Sequence, residues 1–160
     1  MKPVAKRATP AAIAVLRQAT ALVPKRKKAS DGLLPSKAHI AQNPNSDHNT
    51  GHAVDLTHDP HNGIDCSELF QKLQADKRVS YLIFNGLIWS KQRGTHEYTG
   101  PNKHVKHLHI SIKEDCAKDT SPWFPWLEKP KASVAGMARY LADKAKRKPR
   151  KKDVPSHKEA

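Results

Sequence analysis

Two cysteines in 160 residues, Cys66 and Cys116, with no CxxC spacing around either, leave no disulfide framework to read. Both are expected to be free thiols. No apolar run approaches membrane-spanning length. The one stretch that imitates a signal peptide, Ala11 to Leu16 behind Lys2, Lys6 and Arg7, is closed by Arg17 after six residues. The expectation is a chain made in a cytoplasm without an export signal of its own. Acids are missing from residues 1–28, which hold eight Lys/Arg, and scarce in 129–160, with three against eleven; between them lie ten Lys/Arg against twelve acids. The net charge of +14 therefore divides as +8, −2 and +8. A near-neutral body with basic ends suggests that the ends meet a polyanion, such as nucleic acid or an anionic envelope surface, while the body does something else. No internal repeat and no known nucleic-acid-binding motif is present.

The body shows mixed periodicities. Pro10 can open a helix, and Ile13, Leu16, Thr20 and Val23 recur at helical spacing, which predicts an amphipathic helix over 10–22 that stops near Pro24. Residues 33–47 read as polar and irregular. Residues 53–57 form a short strand, 59–63 a turn, and 65–77 a helix capped by Asp65 or Ser67 with Leu69, Phe70 and Leu73 inward. Asn85-Gly86 between two β-rich runs predicts a hairpin over 79–90, followed by a polar loop over 91–103. Residues 107–112 alternate strictly. That places His107, His109 and Ser111 on one face and Leu108, Ile110 and Ile112 on the other. Residues 121–127 are expected to pack back on the body, 134–145 to form a short helix with a basic face, and 146–160 to be disordered. The fold class is α+β, a small antiparallel sheet flanked by helices. Residues 1–128 are the expected catalytic domain and 129–160 a basic tail.

Two histidine clusters carry the chemistry. Ser46-Asp47-His48-Asn49-Thr50-Gly51-His52-Ala53-Val54-Asp55 offers a histidine and a carboxylate seven positions apart, and His104-Val105-Lys106-His107-Leu108-His109 ends in a His-x-His pair. His48, Asp55 and His109 supply two nitrogens and one oxygen, the donor set of a zinc site that keeps a fourth position for water. Small Gly51 and Ala53 let the chain turn and pack tightly behind such a site. Asp55 stands among Ala53, Val54 and Leu56, where a charge is costly without a cation or dense hydrogen bonding. Ten histidines in a basic chain also scatter by chance. His39, His52, His58, His61, His96 and His157 are read in that way.

The pattern Ser46-x-His48-x-x-Gly51-x-Ala53-x-Asp55, followed by His107-x-His109, resembles the zinc peptidases that cut bacterial peptidoglycan. These include D-Ala-D-Ala carboxypeptidases, phage L-alanyl-D-glutamate endopeptidases and the penicillin-insensitive murein endopeptidase, and the hedgehog signalling domain shares their fold. The resemblance spans roughly residues 10–112, with Ser30-Asp31-Gly32 matching the phage and actinobacterial branches. It implies His48, Asp55 and His109 as zinc ligands and Ser46 as a serine beside the substrate. Many carboxypeptidase members carry an acid three residues before the last ligand, where this chain has Lys106. The spacing His104-x-x-His107-x-His109 is closer to the murein endopeptidase, which implies His107 as the group that handles protons or stabilises the oxyanion, with His104 in support.

The function expected from this resemblance is a zinc-dependent peptidoglycan peptidase of phage-endolysin type. It would be a monomer that accumulates in the host cytoplasm and acts on the wall after release, its basic tail held to anionic envelope surfaces. A nucleic-acid-binding protein with a structural metal would account for the basic arms but not for an open three-ligand site. A metal-free wall-binding module would not need the full ligand set.

Overall fold

Strand pairing brings the two clusters together. The structure, a computed structural model, describes residues 3–127 and 141–146. Strands β1 (Ala53–Thr57), β2 (Val79–Phe84), β3 (Leu87–Ser90), β4 (Gly94–Glu97) and β5 (His107–Ile112) form one antiparallel sheet in the order β1-β5-β2-β3-β4. In the β1/β5 ladder Asp55 lies directly opposite His109, and Leu56 opposite Leu108. Because side chains alternate along a strand, Asp55, His107 and His109 share one face while Val54, Leu56, Leu108, Ile110 and Ile112 are buried on the other. The fold class is α+β, as the mixed periodicities predict.

Helices α1 (Pro10–Leu22) and α3 (Cys66–Lys72) pack against the sheet. Thr9 caps α1, its hydroxyl accepting from Ala12 N, and Pro10 takes the first turn, where no N–H is needed. The buried face of α1 is Ala11, Ala12, Ala14, Val15 and Ala19. The apolar residues at helical spacing, Ile13, Leu16 and Val23, are half-buried, with Leu16 and Val23 packed against the edge of the core. Small side chains at the contact let the helix backbone come close to the sheet, and the larger ones are left at the margin. Asp65 is the cap of α3, accepting from Ser67 N. The helix ends at Lys72, five residues earlier than predicted, and passes into a 3₁₀ turn over Leu73–Ala75. Two elements were not anticipated. One is α2 (Lys37–Gln42), capped by the Ser36 hydroxyl and burying no residue; the other is β4, an edge strand of alternating half-buried and exposed residues. Neither offers the apolar periodicity that marks an element in sequence. The hairpin turn at Asn85-Gly86 has φ of 49° and 79°, the left-handed pair that a tight hairpin uses.

Two buried arginines tie the loops to this frame. Arg26, in the basic loop after α1, is 5% exposed and forms a paired contact with the Asp31 carboxylate at 3.0 and 2.7 Å. Asp31 also accepts from the backbone N and hydroxyl of Thr57, which fastens the 26–31 loop to β1. Arg26 is thus an internal ion pair, not part of a polyanion-facing arm. Arg78 pairs with Asp76, donates to the carbonyl oxygens of Asp119, Ser121 and Pro122, and lies 3.6 Å from the Trp123 ring centroid. Trp123 and Phe124 are fully buried, so 121–127 does close back on the body. Both cysteines are free.

The chain divides into two units, Met1–Leu127 and Glu128–Ala160. Of the second, residues 141–146 are helical and exposed. The rest of the predicted 134–145 helix, and the predicted disorder beyond Lys146, lie outside the described residues. Among the described residues no helix is long and apolar enough to cross a membrane.

Trp123 combines complete burial, an indole N–H donated to Ala11 O at 3.1 Å and the Arg78 contact. Trp123→Ala is expected to lower stability by about 3–5 kcal/mol, the usual range for emptying a large aromatic site. Urea denaturation followed by far-UV circular dichroism measures it, and a loss below about 1 kcal/mol would show that the closing segment does not hold the core.

Candidate metal centre

Each donor of the site is delivered by a different local device. Asp55 and His109 come from paired strands. His48 comes from a one-turn 3₁₀ helix, Asp47–Thr50, whose cap is the Ser46 hydroxyl accepting from His48 N, and which ends at Gly51 with φ of 76°. The segment just after Asp31 pairs with β1: Gly32 N donates to Asp55 O and Asp55 N to Gly32 O. A Cβ at Gly32 would stand 3.2 Å from Asp55 Oδ2, so only glycine leaves the carboxylate its full room.

The three side chains converge. His48 Nε2 is 3.2 Å and His109 Nδ1 3.1 Å from Asp55 Oδ1, and one donor atom from each residue lies within 4.8 Å of the others. With metal–donor bonds of about 2.0–2.1 Å, the edge of a zinc tetrahedron is about 3.3 Å, close to both separations. The outer nitrogens are also placed. Leu33 O can only accept, so His48 Nδ1, 2.8 Å away, must donate to it, and Nε2 is then the nitrogen with the free lone pair. His109 Nε2 meets the buried Ser111 hydroxyl at 3.0 Å, and a hydroxyl can accept from an N–H or donate to a lone pair. His109 can therefore turn Nδ1 toward a cation without leaving Nε2 unpaired. A His48-Asp55-His109 group thus fits a metal ion, and the donor types suit zinc.

The titration behaviour agrees with a place for positive charge. Burial works to raise the Asp55 carboxyl, but hydrogen bonds with His109 and His48 outweigh it and hold the group well below the usual range. Burial likewise works to lower His48, while its contacts with Asp55 and Leu33 carry it above the ordinary histidine value.

The other predicted residues line the same cavity, which has a volume of about 500 Å³. His107 Nε2 is 3.7 Å from Asp55 Oδ1 and lies outside the three-donor group. Burial depresses its pKa, with the Asp55 carboxylate opposing. His104 has a left-handed φ of 54°, held by Asn102 Oδ1 accepting from its backbone N and by Asn85 N donating to its carbonyl oxygen. Its ring Nδ1 donates to Asn102 O at 2.7 Å, and burial, followed by the charges of His109 and His107, pushes its pKa down to about 4. Ser46 lines the cavity, with Oγ 3.1 Å from His39 Nε2. Lys106 is exposed and does not reach the cavity.

Sequence reasoning missed His39, Tyr81, Tyr98 and Asn102. His39 reads in sequence as one of the scattered histidines, yet its ring stands edge-on to His48 at 5.7 Å. Nothing in its sequence neighbours separates it from the other histidines outside the two clusters. Tyr81 stacks on His109 at 5.5 Å from the neighbouring strand. His52, His58 and His96 bond locally to Thr50, the Cys66 backbone and Gly94, away from the site. Compared with protein-family models, curated proteins and solved structures, the chain finds no match, so what the site can do rests on its own geometry.

Purified chain loaded with zinc is expected to hold about one ion, and His48→Ala, Asp55→Ala and His109→Ala each to lose it, as read by elemental analysis. Metal retained at full occupancy in Asp55→Ala would remove the assignment.

Because His48 must shed its proton to ligate, metal uptake should release a proton wherever His48 starts protonated. Its raised pKa places that region from acid up through and somewhat beyond the ordinary histidine range, and this contribution should vanish at alkaline pH. In metal-free protein the signs differ. The stability due to Asp55 persists above the ordinary aspartate range and is lost only as pH falls through its depressed value, whereas that due to His48 is lost as pH rises through its raised value. Calorimetric zinc titration at about pH 6, where a zinc-bound water of pKa about 7 keeps its proton, in buffers of different ionisation enthalpy counts the protons; uptake without release there would contradict the sign.

Proposed function

We propose that the chain is a zinc-dependent peptidase that hydrolyses an amide bond in the peptide part of bacterial peptidoglycan, acting as a phage endolysin for host lysis. The observation that carries the reading is the convergence of two imidazoles and one carboxylate from distant segments, with their outer nitrogens already oriented, beside an uncoordinated imidazole in one cavity. The resemblance of Ser46-x-His48-x-x-Gly51-x-Ala53-x-Asp55 and His107-x-His109 to the peptidoglycan peptidases supplies the substrate class.

Zinc bound there would polarise an amide carbonyl and bring the pKa of its water to about 7. His107 is the proton carrier: kept neutral by burial, it takes the proton from the attacking water at Nε2 and returns it to the departing amine. His104 stands beside it, ring centroids 4.9 Å apart, with Nδ1–H tied to Asn102 O so that Nε2 remains free to accept. Ser46 contacts the substrate at the cavity wall. The basic stretch after residue 128 holds the enzyme on anionic envelope surfaces.

Mass spectrometry of purified peptidoglycan incubated with the zinc-loaded chain is expected to reveal new amine and carboxyl termini at one bond. His107→Ala should keep its zinc and fold yet cut about 10²–10⁴ times more slowly, the scale of a lost general acid or base. No new termini with wild-type protein would refute the peptidase reading. Zinc lost from His107→Ala but kept in His109→Ala would exchange the two roles.

A further inference from the structure

Two hollows share residues of the metal centre as lining. The larger, of about 500 Å³, extends to walls from Tyr81, Tyr98 and His104; the smaller, of about 180 Å³, extends to walls from Gly32, Leu34 and Ser36. His39, His48 and Asp55 line both. A pocket for a chain end closes beyond the reacting group. Here the surface is hollow on the 32–36 side and on the 81–104 side alike.

The lining adds a second constraint. Although the chain has 29 Lys/Arg, none of them, among the described residues, lines either hollow. The Lys103 ammonium donates instead to Tyr98 O at 2.7 Å. Away from the metal ligands the larger hollow presents the amides of Gln42, Asn43, Asn45 and Asn102 beside the imidazoles of His104 and His107, and no guanidinium or ammonium group. Removal of a C-terminal residue requires a grip on its carboxylate, and a partly desolvated carboxylate needs a cation, best a guanidinium that binds both oxygens. Neutral amides suit the backbone N–H and C=O groups of a continuing chain.

We infer that the groove takes an internal amide with peptide on both sides, making the chain an endopeptidase and not a carboxypeptidase. This rests on the proposed peptidase function. In the reaction the C–N bond breaks, the oxygen of water joins the carbonyl carbon, and the amine leaves with the proton. No free carboxylate next to the scissile bond is required.

The test uses two probes with the full zinc-loaded chain: an uncross-linked peptidoglycan stem peptide with a free C-terminal carboxylate, and the same peptide with a C-terminal amide. Both should be cut at the same internal bond, with rates within about threefold, since no charge-assisted contact is lost on amidation. Calorimetry on metal-free protein should likewise show the two bound within about threefold. Release of the last residue alone from the acid, with a loss of about tenfold or more on amidation, would overturn the inference and leave the peptidase reading standing. If zinc is bound and both probes and whole peptidoglycan remain intact, the peptidase reading itself fails.

Discussion

The Leu33 carbonyl oxygen can only accept, and its 2.8 Å contact with His48 Nδ1 decides how that ring is used. With the proton committed to Nδ1, a neutral His48 turns an unshared pair toward the Asp55 carboxylate oxygen 3.2 Å away. Two electron-rich atoms at that distance repel unless something positive lies between or on them. Either His48 takes a second proton, which is why its pKa rises, or a cation enters. Asp55 presses the same demand from the other side. It sits in a strand whose neighbours Val54 and Leu56 are fully buried, where an unpaired charge would cost several kcal/mol.

The rest of the body can be read as the support for that arrangement. Leu33 is within reach of His48 because Gly32 pairs with Asp55 along the edge of β1, and Gly32 is held there because Asp31 is fastened to Thr57 and to Arg26. Arg26 is buried, and burying a guanidinium is unfavourable unless its partner is fixed. A buried ion pair is weak evidence for stability, but it permits few alternative geometries. The loop that orients the metal ligand is thereby bound to the strand that carries the carboxylate. Removing Asp31 would leave Arg26 uncompensated and release Leu33 from His48 in the same step.

What could be read from the sequence and what could not divides along the range of the interaction. Strict alternation in 107–112 put His107 and His109 on one face because strand geometry is local, and the Asn85-Gly86 turn is local as well. The seven-residue interval from His48 to Asp55 was legible as a donor pair. Its orientation was not, since that depends on a backbone carbonyl fifteen residues away, and any residue type can supply one. Periodicity does not single out the buried face of α1, because it ranks Leu and Ile above Ala, whereas the close contact with the sheet selects for smallness. His39 had nothing in its neighbours to separate it from His61 or His96; only the fold carries it next to Ser46.

His104 is held by local and by long-range contacts at once. A non-glycine residue in the left-handed region is disfavoured by about 1–2 kcal/mol, so it persists only where surrounding contacts determine it. Those contacts come from Asn102 on one side and from the hairpin turn at Asn85 and Gly86 on the other, whose N–H groups hold the carbonyl oxygens of His104 and Lys103. The turn that was most legible as a fold signal therefore also positions a cavity wall. Its left-handed backbone points two N–H groups outward, and the 103–104 segment accepts both. The ring of His104 is then fixed by its own Nδ1–H to Asn102 O, so the side chain is constrained in backbone, in orientation and in tautomer before any ligand arrives. Such a group costs little further ordering on binding, which is what a site needs if its imidazoles are to meet a substrate amide at defined atoms.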